Sequence, residues 1–301
     1  MTHRFFGRLG WQVSELGLGG AWLAGRGASL SLDQSVELVR TALALGINYI
    51  DTARYYGRSE EILGVALEGI TQPYYLATKA GCVPRDFDYS ADAVLRSFEA
   101  SLHLLRRSRV GLLQIHDAES AGWDRVMGKS GALEALHRLK REGSVAAIGV
   151  TGRRPDDQAR FVATGEFDSV LSYCDHDVTT RLARDVLLPV AAEHNVAVVL
   201  GSPLRVGVLN LPRGAALSPW ATPLAPKLER LHDLAERAGM PLRHLALRYL
   251  LSDPDPATVL SGAGSVDELR DALTAAAAGP LPSHILAEIQ DIQETPLAPA
   301  A

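Results

Sequence analysis

Cysteine is scarce in this chain. Cys82 and Cys174 are the only two, and a pair so far apart offers neither a disulfide framework nor a metal-ligand spacing. Positive charge never gathers into a stripe; a formal charge of −5 is spread along the sequence, which argues against a nucleic-acid partner. No apolar run approaches the roughly 18 residues of a membrane span. The opening Met1-Thr2-His3-Arg4-Phe5 has no apolar signal core. Also missing is Gly-x-Gly-x-x-Gly between a strand and a helix. Gly17-Leu18-Gly19-Gly20 lacks the third glycine at the right offset, and no acid follows about twenty residues on in a suitable strand, which disfavours an open dinucleotide-binding sheet. A cytoplasmic, reduced protein without a metal is expected. Its 47% hydrophobic and 22% charged residues are ordinary for a globular enzyme.

What is present is a regular alternation. Short apolar segments around a Gly-containing turn predict a hairpin over 5–14. Strands are predicted at 16–20, 47–51, 74–79, 110–115, 145–150, 169–173, 196–200 and 258–260. Between them helical spacing marks 31–45, 59–69, 91–106, 130–142, 156–164 and 181–194, two helices within 224–251, and another from Ser265. Loops are read at 21–30, where Trp22 sits among glycines, and in a Pro/Gly-rich excursion over 205–223. Alternating strands and helices imply a parallel sheet with right-handed crossovers. Eight such units in about 260 residues fit a closed (β/α)8 TIM barrel. One domain is expected over 1–301, with a Pro/Ala-rich tail from about 280 at its periphery.

In such a barrel the carboxyl ends of the strands build the active site. Those positions carry Asp51, Lys79, His116 and Thr151, with Tyr56 just beyond the second strand. Singly each has a plain structural explanation: Asp51 caps a turn, Lys79 is a solvated strand end, His116 is a hydrogen-bonded core histidine. Together they are chemically coherent. An ammonium entering the barrel mouth needs a carboxylate, and Asp51 is on the neighbouring strand. A phenol with an ordinary pKa near 10 is a poor acid or base at neutral pH, but a nearby ammonium stabilises its phenolate. A histidine across the mouth can orient a substrate oxygen. None of these side chains carries electrons, so a hydride carrier such as nicotinamide is required.

Gly46-x-x-x-Ile50-Asp51-Thr52-Ala53-x-x-Tyr56-Gly57-x-Ser59-Glu60-x-x-Leu63-Gly64 resembles the aldo-keto reductase signature. Thr78-Lys79, Ile115-His116 and Ser202-Pro203-Leu204 are similar to further blocks of that family, in the same order. The resemblance implies a (β/α)8 barrel that binds NAD(P)(H) without a dinucleotide-binding sheet. It implies Tyr56 as acid/base, tuned by Lys79 and Asp51, with His116 orienting substrate. It also points to Asp51, Thr151, Ser172, Ser202, Leu204, Gly262, Ser265 and Glu268 as cofactor positions. The chain departs from the family there: Thr151-Gly152 stands where Ser-Asn is usual, Ser172 where Gln is common, and Gly201 where many members carry a stacking aromatic.

No basic clamp for a 2′-phosphate stands at Gly262–Glu268, although Arg270 is close. An acid there opposes a phosphate and suits a ribose hydroxyl, so NAD is expected, with NADP the alternative. His116-Asp117 and Ser172-Tyr173-Cys174 resemble the aldose 1-dehydrogenase sub-group, which implies oxidation of an aldose at C1. Three alternatives stay open: a pyridoxal dehydrogenase, an NADPH-dependent aldehyde or ketone reductase, and a cofactor-sensing regulatory subunit without turnover. Trp22, Tyr55, Trp123 and Trp220 are candidates for the pocket wall or for ordinary loop packing. Asp117 either binds a sugar hydroxyl or caps the following turn. The expected partner is a small aldose or aldehyde, and the expected state a monomer or small homo-oligomer.

Overall fold

The computed structural model describes residues 1–23, 30–83 and 87–298; positions 24–29 of the loop read between 21 and 30 lie outside them. The chain opens with a hairpin of β1 (His3–Phe6) and β2 (Trp11–Ser14), joined by a single 3-10 turn. There follow β3 (Leu16–Gly19), α1 (Leu32–Ala44), β4 (Tyr49–Asp51), α2 (Ser59–Ala66), β5 (Tyr75–Ala80), α3 (Ala91–Leu105) and β6 (Val110–Ile115). Next come α4 (Ala118–Ala121), α5 (Trp123–Met127), α6 (Ala132–Arg141), β7 (Val145–Gly152), α7 (Pro155–Ala163), β8 (Ser169–Tyr173) and α8 (Leu182–Glu193). The last elements are β9 (Ala197–Gly201), α9 (Ala225–Arg237), α10 (Leu242–Ser252), β10 (Thr258–Ser261), α11 (Val266–Ala277) and α12 (Ser283–Glu294). Strands β3 to β10 pair in parallel, in chain order, and β10 closes on β3 to complete the barrel.

Period-two alternation divides each strand between two cores. Ile50, Leu113, Ile115, Ile148, Val150, Val170 and Val198 face outward into the helix layer. Tyr49, Ala77, Leu112, Ala147, Leu171 and Ala197 face inward, large and small residues alternating from strand to strand so that the interior fills. One step further up β4, β5 and β6, the same parity turns Asp51, Lys79 and Gln114 inward. Lys79 is in register with Gln114, and Asp51 with Ala77. The polar layer is thus the next storey of the barrel interior.

The hairpin plugs the other end. Phe6 and Val13 join the inner core, with the Phe6 ring 5.3 Å from that of Tyr49. Arg8 donates to Asp168 Oδ1 at 3.1 Å, while Lys140 and the Ile148 amide share Oδ2. Arg4 gathers the carbonyls of Leu251, Asp253 and Pro256 at the end of α10.

Two regions differ from expectation. Residues 118–127 form α4 and α5, too short to show a helical period. The tail expected at the periphery contains α12, whose Ile285, Ile289 and Ile292 are buried in a cluster with Leu231 and Leu234 of α9. Lys227 Nζ, almost fully buried, bonds the Thr179 and Gln293 carbonyls at 2.9 and 2.7 Å and ties that cluster to the loop before α8. Pro and Ala in the flanks hid an i, i+4, i+7 apolar stripe. Among the described residues no helix is long and apolar enough to cross a membrane.

Asp168 is 2% exposed and holds three donors. Asp168→Ala leaves a buried amide and two cations unpaired, so the free energy of unfolding is expected to drop by about 3 kcal/mol. Urea denaturation measures it, and an unchanged midpoint would mean that the hairpin plug holds without this carboxylate.

Candidate active site

The charged centre is a buried pair. Lys79, 1% exposed, donates to Asp51 Oδ1 and, at 2.9 Å, to the Thr52 carbonyl. Gln114 Nε2 donates to the other Asp51 oxygen at 2.8 Å. After β4 the chain turns at Ala53–Tyr56 and reverses at Gly57 (φ 58°) into α2. A bond between the Thr52 and Ser59 hydroxyls at 2.8 Å clamps that turn. It lays the Tyr56 ring beside the ammonium, 4.7 Å from Lys79 Nζ to the ring centroid. His116 stands edge-on to Tyr56, centroids 5.6 Å apart. Asp51, Tyr56, Lys79 and His116 therefore converge.

Their titration follows from burial and charge. Desolvation works against the Lys79 ammonium, but Asp51 and then Tyr56 outweigh it and hold its pKa above the ordinary lysine value. Burial pushes the Tyr56 phenol up while Lys79 pulls it down, and the net position is above an ordinary tyrosine. The ammonium thus moderates the phenol without reversing the cost of burial. His116 is driven down to about 3, by desolvation first and Lys79 second, so its imidazole is neutral at any working pH. Behind the pair, buried Glu60 accepts the Thr78 hydroxyl at 2.6 Å, and burial raises its pKa.

A second arc crosses the tops of β6, β7 and β8. Asp117 is in the left-handed region (φ 47°), its amide donating to Thr151 Oγ1 at 3.0 Å. Tyr173 donates its hydroxyl to Asp117 Oδ1 at 3.0 Å, and the Arg153 guanidinium lies over the Tyr173 ring. Burial raises the Asp117 pKa, with Tyr173, Lys79 and Arg153 opposing. Thr151, expected at the cofactor, thus holds the Asp117 backbone.

The aromatic candidates separate. Tyr55, 37% exposed, is edge-on to His116 at 5.7 Å and faces Phe87 at 6.4 Å. Trp22 lies against Gly262, where a Cβ would come 2.7 Å from its Cδ1. Trp123 instead stacks on Phe161 at 5.1 Å beneath the Arg160 guanidinium, which commits it to the helix layer. Trp220 is exposed.

Gly152 explains one departure from the family pattern. A Cβ there would overlap the Glu119 carboxylate. Glu119 Oε1 accepts the Arg153 amide at 2.7 Å, while Oε2 is buried without a partner. The place of a side chain on β7 is filled from α4. Near the end of β8, Ser172 Oγ is 3.5 Å from Asp175, whose pKa burial pushes up to about 7 against the pull of Arg153 and Arg205. After β9 the backbone is strained: Ser202, Arg205 and the β-branched Val206 all have φ near +50°. Arg205 binds the Cys174 carbonyl at 2.9 Å and Asp177 at 2.7 Å, and the Leu204 carbonyl accepts the Gly207 amide at 2.9 Å. Ser265 caps α11 by accepting the Glu268 amide at 3.1 Å, while Glu268 Oε2 accepts the Gly264 amide at 2.7 Å.

Sequence reading missed Gln114, Glu119, Phe87 and Asp175. Only Gln114 left a signal, as the one amide in an otherwise apolar strand. A nicotinamide dinucleotide fits these residues: the unpaired Glu119 Oε2 against Gly152 is an acceptor awaiting a donor, and the strained segment from Ser202 is held by Arg205.

Residues 15–294 match the aldo/keto reductase family. L-galactose dehydrogenase of Arabidopsis thaliana is 34% identical over 285 residues, covering 90% of this chain and 87% of that protein. D-arabinose 1-dehydrogenase of Saccharomyces cerevisiae is 28% identical over 288 residues, covering 87% and 82%. The holo form of an aldo-keto reductase from Bacillus halodurans superposes with a TM-score of 0.83 at 27% identity, covering 99% of this chain and 98% of that one. The chain belongs to the aldo/keto reductase family of NAD(P)-dependent oxidoreductases.

Proposed function

We propose that the protein oxidises an aldose at C1 to the lactone, using NAD, with Tyr56 as the base. The observation that carries this reading is the Asp117 carboxylate beside His116, its Oδ1 held by Tyr173 and its backbone by Thr151. A carboxylate with one oxygen tied and the other left over is an acceptor for a polyol hydroxyl, which a simple aldehyde cannot use. Tyr55 and Phe87 add an exposed aromatic surface for the apolar face of a sugar ring. The aldose dehydrogenases among the relatives support the same substrate class.

A bound nicotinamide supplies the hydride acceptor. Thr151, Ser172 and Glu119 would hold its carboxamide end, Ser202 and Leu204 its pyrophosphate, and Gly262, Ser265 and Glu268 its adenosine end. Tyr56 takes the proton of the anomeric hydroxyl as the C1–H bond gives up its electron pair. Lys79, locked by Asp51, stabilises the phenolate that does this. His116, being neutral, gives a hydrogen bond to the substrate oxygen without adding a second cation to compete with Lys79.

Turnover of a panel containing L-galactose, L-fucose, D-arabinose and pyridoxal, followed as NADH formation, tests the reaction. Tyr56→Phe is expected to lower kcat/KM about a thousandfold. Because burial holds Tyr56 above the ordinary phenol range, oxidation should speed up as the pH turns alkaline. The reverse reduction should stay level until the same limb and then fall. Pyridoxal turnover with silent sugars would replace the aldose reading.

Glu268 places a carboxylate at the start of α11 and already takes the Gly264 amide there, which leaves a 2′-phosphate opposed. Catalytic efficiency with NAD should exceed that with NADP by more than tenfold; the reverse order would refute the role given to Glu268.

The His116 ring resonances should keep neutral-imidazole shifts from pH 8 down to pH 5, given a pKa near 3. A midpoint between 6 and 7 in the NMR titration would remove the neutral-donor role.

A further inference from the structure

Gln114 has no part in the reaction described so far, yet among the described residues it is the one side chain besides Lys79 that bonds the Asp51 carboxylate. It is fully buried, faces inward in register with Lys79, and gives Nε2 to Asp51 Oδ2 at 2.8 Å while Lys79 takes Oδ1. Its slot is made by Gly149, its register partner on β7. A Cβ at 149 would stand 3.3 Å from Gln114 Cγ and overlap the Ser169 hydroxyl.

We propose that Gln114 is a positioning residue: by binding Asp51 Oδ2 it fixes the carboxylate toward Lys79 and, through that ammonium, sets how readily Tyr56 gives up its proton. This rests on the role of Tyr56 proposed above. The chemistry of the position is restrictive. A carboxylate inside a barrel needs both oxygens satisfied, or it turns to share the one donor it has. A cation at 114 would compete with Lys79 for Asp51, and an ionised acid would repel Asp51. An apolar residue would leave Oδ2 unpaired. A neutral donor satisfies the oxygen and leaves the ion pair intact.

The surroundings add one smaller influence on Tyr56, the charge of Asp117. From β4, the buried Tyr49 phenol is pushed well above its ordinary value by burial and by Asp51, so it stays neutral. From the end of β6, His116 is neutral. Glu60 on α2, with Arg54 at 4.0 Å, is engaged by Thr78, and Asp117 is engaged by Tyr173. Lys79 is accordingly the cation that Tyr56 feels, and Gln114 is the side chain that shares its counter-ion.

The test is Gln114→Met, which keeps the length and removes the donor. Two readouts separate this proposal from the reaction itself. In the substrate-free protein, the Lys79 15Nζ resonance, assigned with Lys79→Arg, reports ammonium against amine. Its midpoint is expected to fall by about one pH unit in Gln114→Met. In turnover, the alkaline limb of kcat/KM should move to higher pH by about one unit, with a roughly tenfold loss below the limb. KM for substrate should hold, since Gln114 bonds none of the groups proposed to hold the sugar.

The double variant Asp51→Asn/Gln114→Met should be no slower than Asp51→Asn alone, because the two act through one contact. If Gln114→Met does not fold, Gln114→Asn, which draws the donor back, should shift both readouts the same way by less. A lower melting temperature with an unmoved Lys79 midpoint and limb would overturn the proposal and leave Gln114 a packing residue. A wild-type protein with no Tyr56-dependent turnover would overturn the reaction, while the Lys79 midpoint would still decide for or against the hold of Gln114 on the pair.

Discussion

Lys79 and Asp51, an ammonium and a carboxylate closed from water in the middle of a barrel, are the constraint on which the site depends. Each alone would cost several kcal/mol to bury, and the pair is tolerable only where every remaining donor and acceptor is matched. The barrel does that matching by parity. The alternation that fills its floor with Tyr49, Ala77 and Leu112 turns Asp51, Lys79 and Gln114, two residues further along the same strands, inward as well. Thr52 then supplies a carbonyl from the turn. The hairpin that seals the opposite end belongs to the same arrangement, because an open floor would let water reach the charges from below.

The electrostatics of the mouth follow from this pair. Burial first, and the Lys79 cation second, keep His116 neutral. The same cation opposes the effect of burial on Tyr56. Carboxyl groups ring the mouth at Asp117, Glu119 and Asp175, all raised by burial, and each opposed by an arginine from the β7 or β9 loop. Such a rim sets hydrogen-bonding carboxyl groups side by side, in keeping with the hydroxyl-rich ligand proposed above.

The barrel was legible in the sequence because strand and helix periods alternate from Leu16 to Ala277, interrupted chiefly by the Pro/Gly-rich excursion over 205–223. Asp51, Tyr56, Lys79 and His116 were legible because strand ends are few and polar residues there stand out. What escaped notice came from loops and from single positions. Trp123 looks like a pocket aromatic on paper, but helices too short to read carry it onto Phe161. In α12, apolar residues three and four apart lie between Pro-rich flanks whose composition suggests a tail. Gln114 was visible as the lone amide of its strand. Its meaning depends on register with Lys79, which no single strand reveals.

Glu119 shows most clearly where reading by position stops. At Gly152 a side chain usual in the family is missing, and the residues in order suggest a site with one hold fewer on its cofactor. Space in a packed protein does not stay vacant, and the carboxylate of Glu119 stands where a Cβ at 152 would point. It is anchored through one oxygen to the Arg153 amide and left with the other unpaired. The two residues are 33 positions apart on different elements, so each accommodates the other only in the folded barrel. A buried acceptor without a donor is unfavourable in the free protein, and a ligand that brings an N–H to it removes that cost on binding. In the cofactor arrangement proposed above, Glu119 on α4 would therefore take over from β7 as the acceptor for the carboxamide.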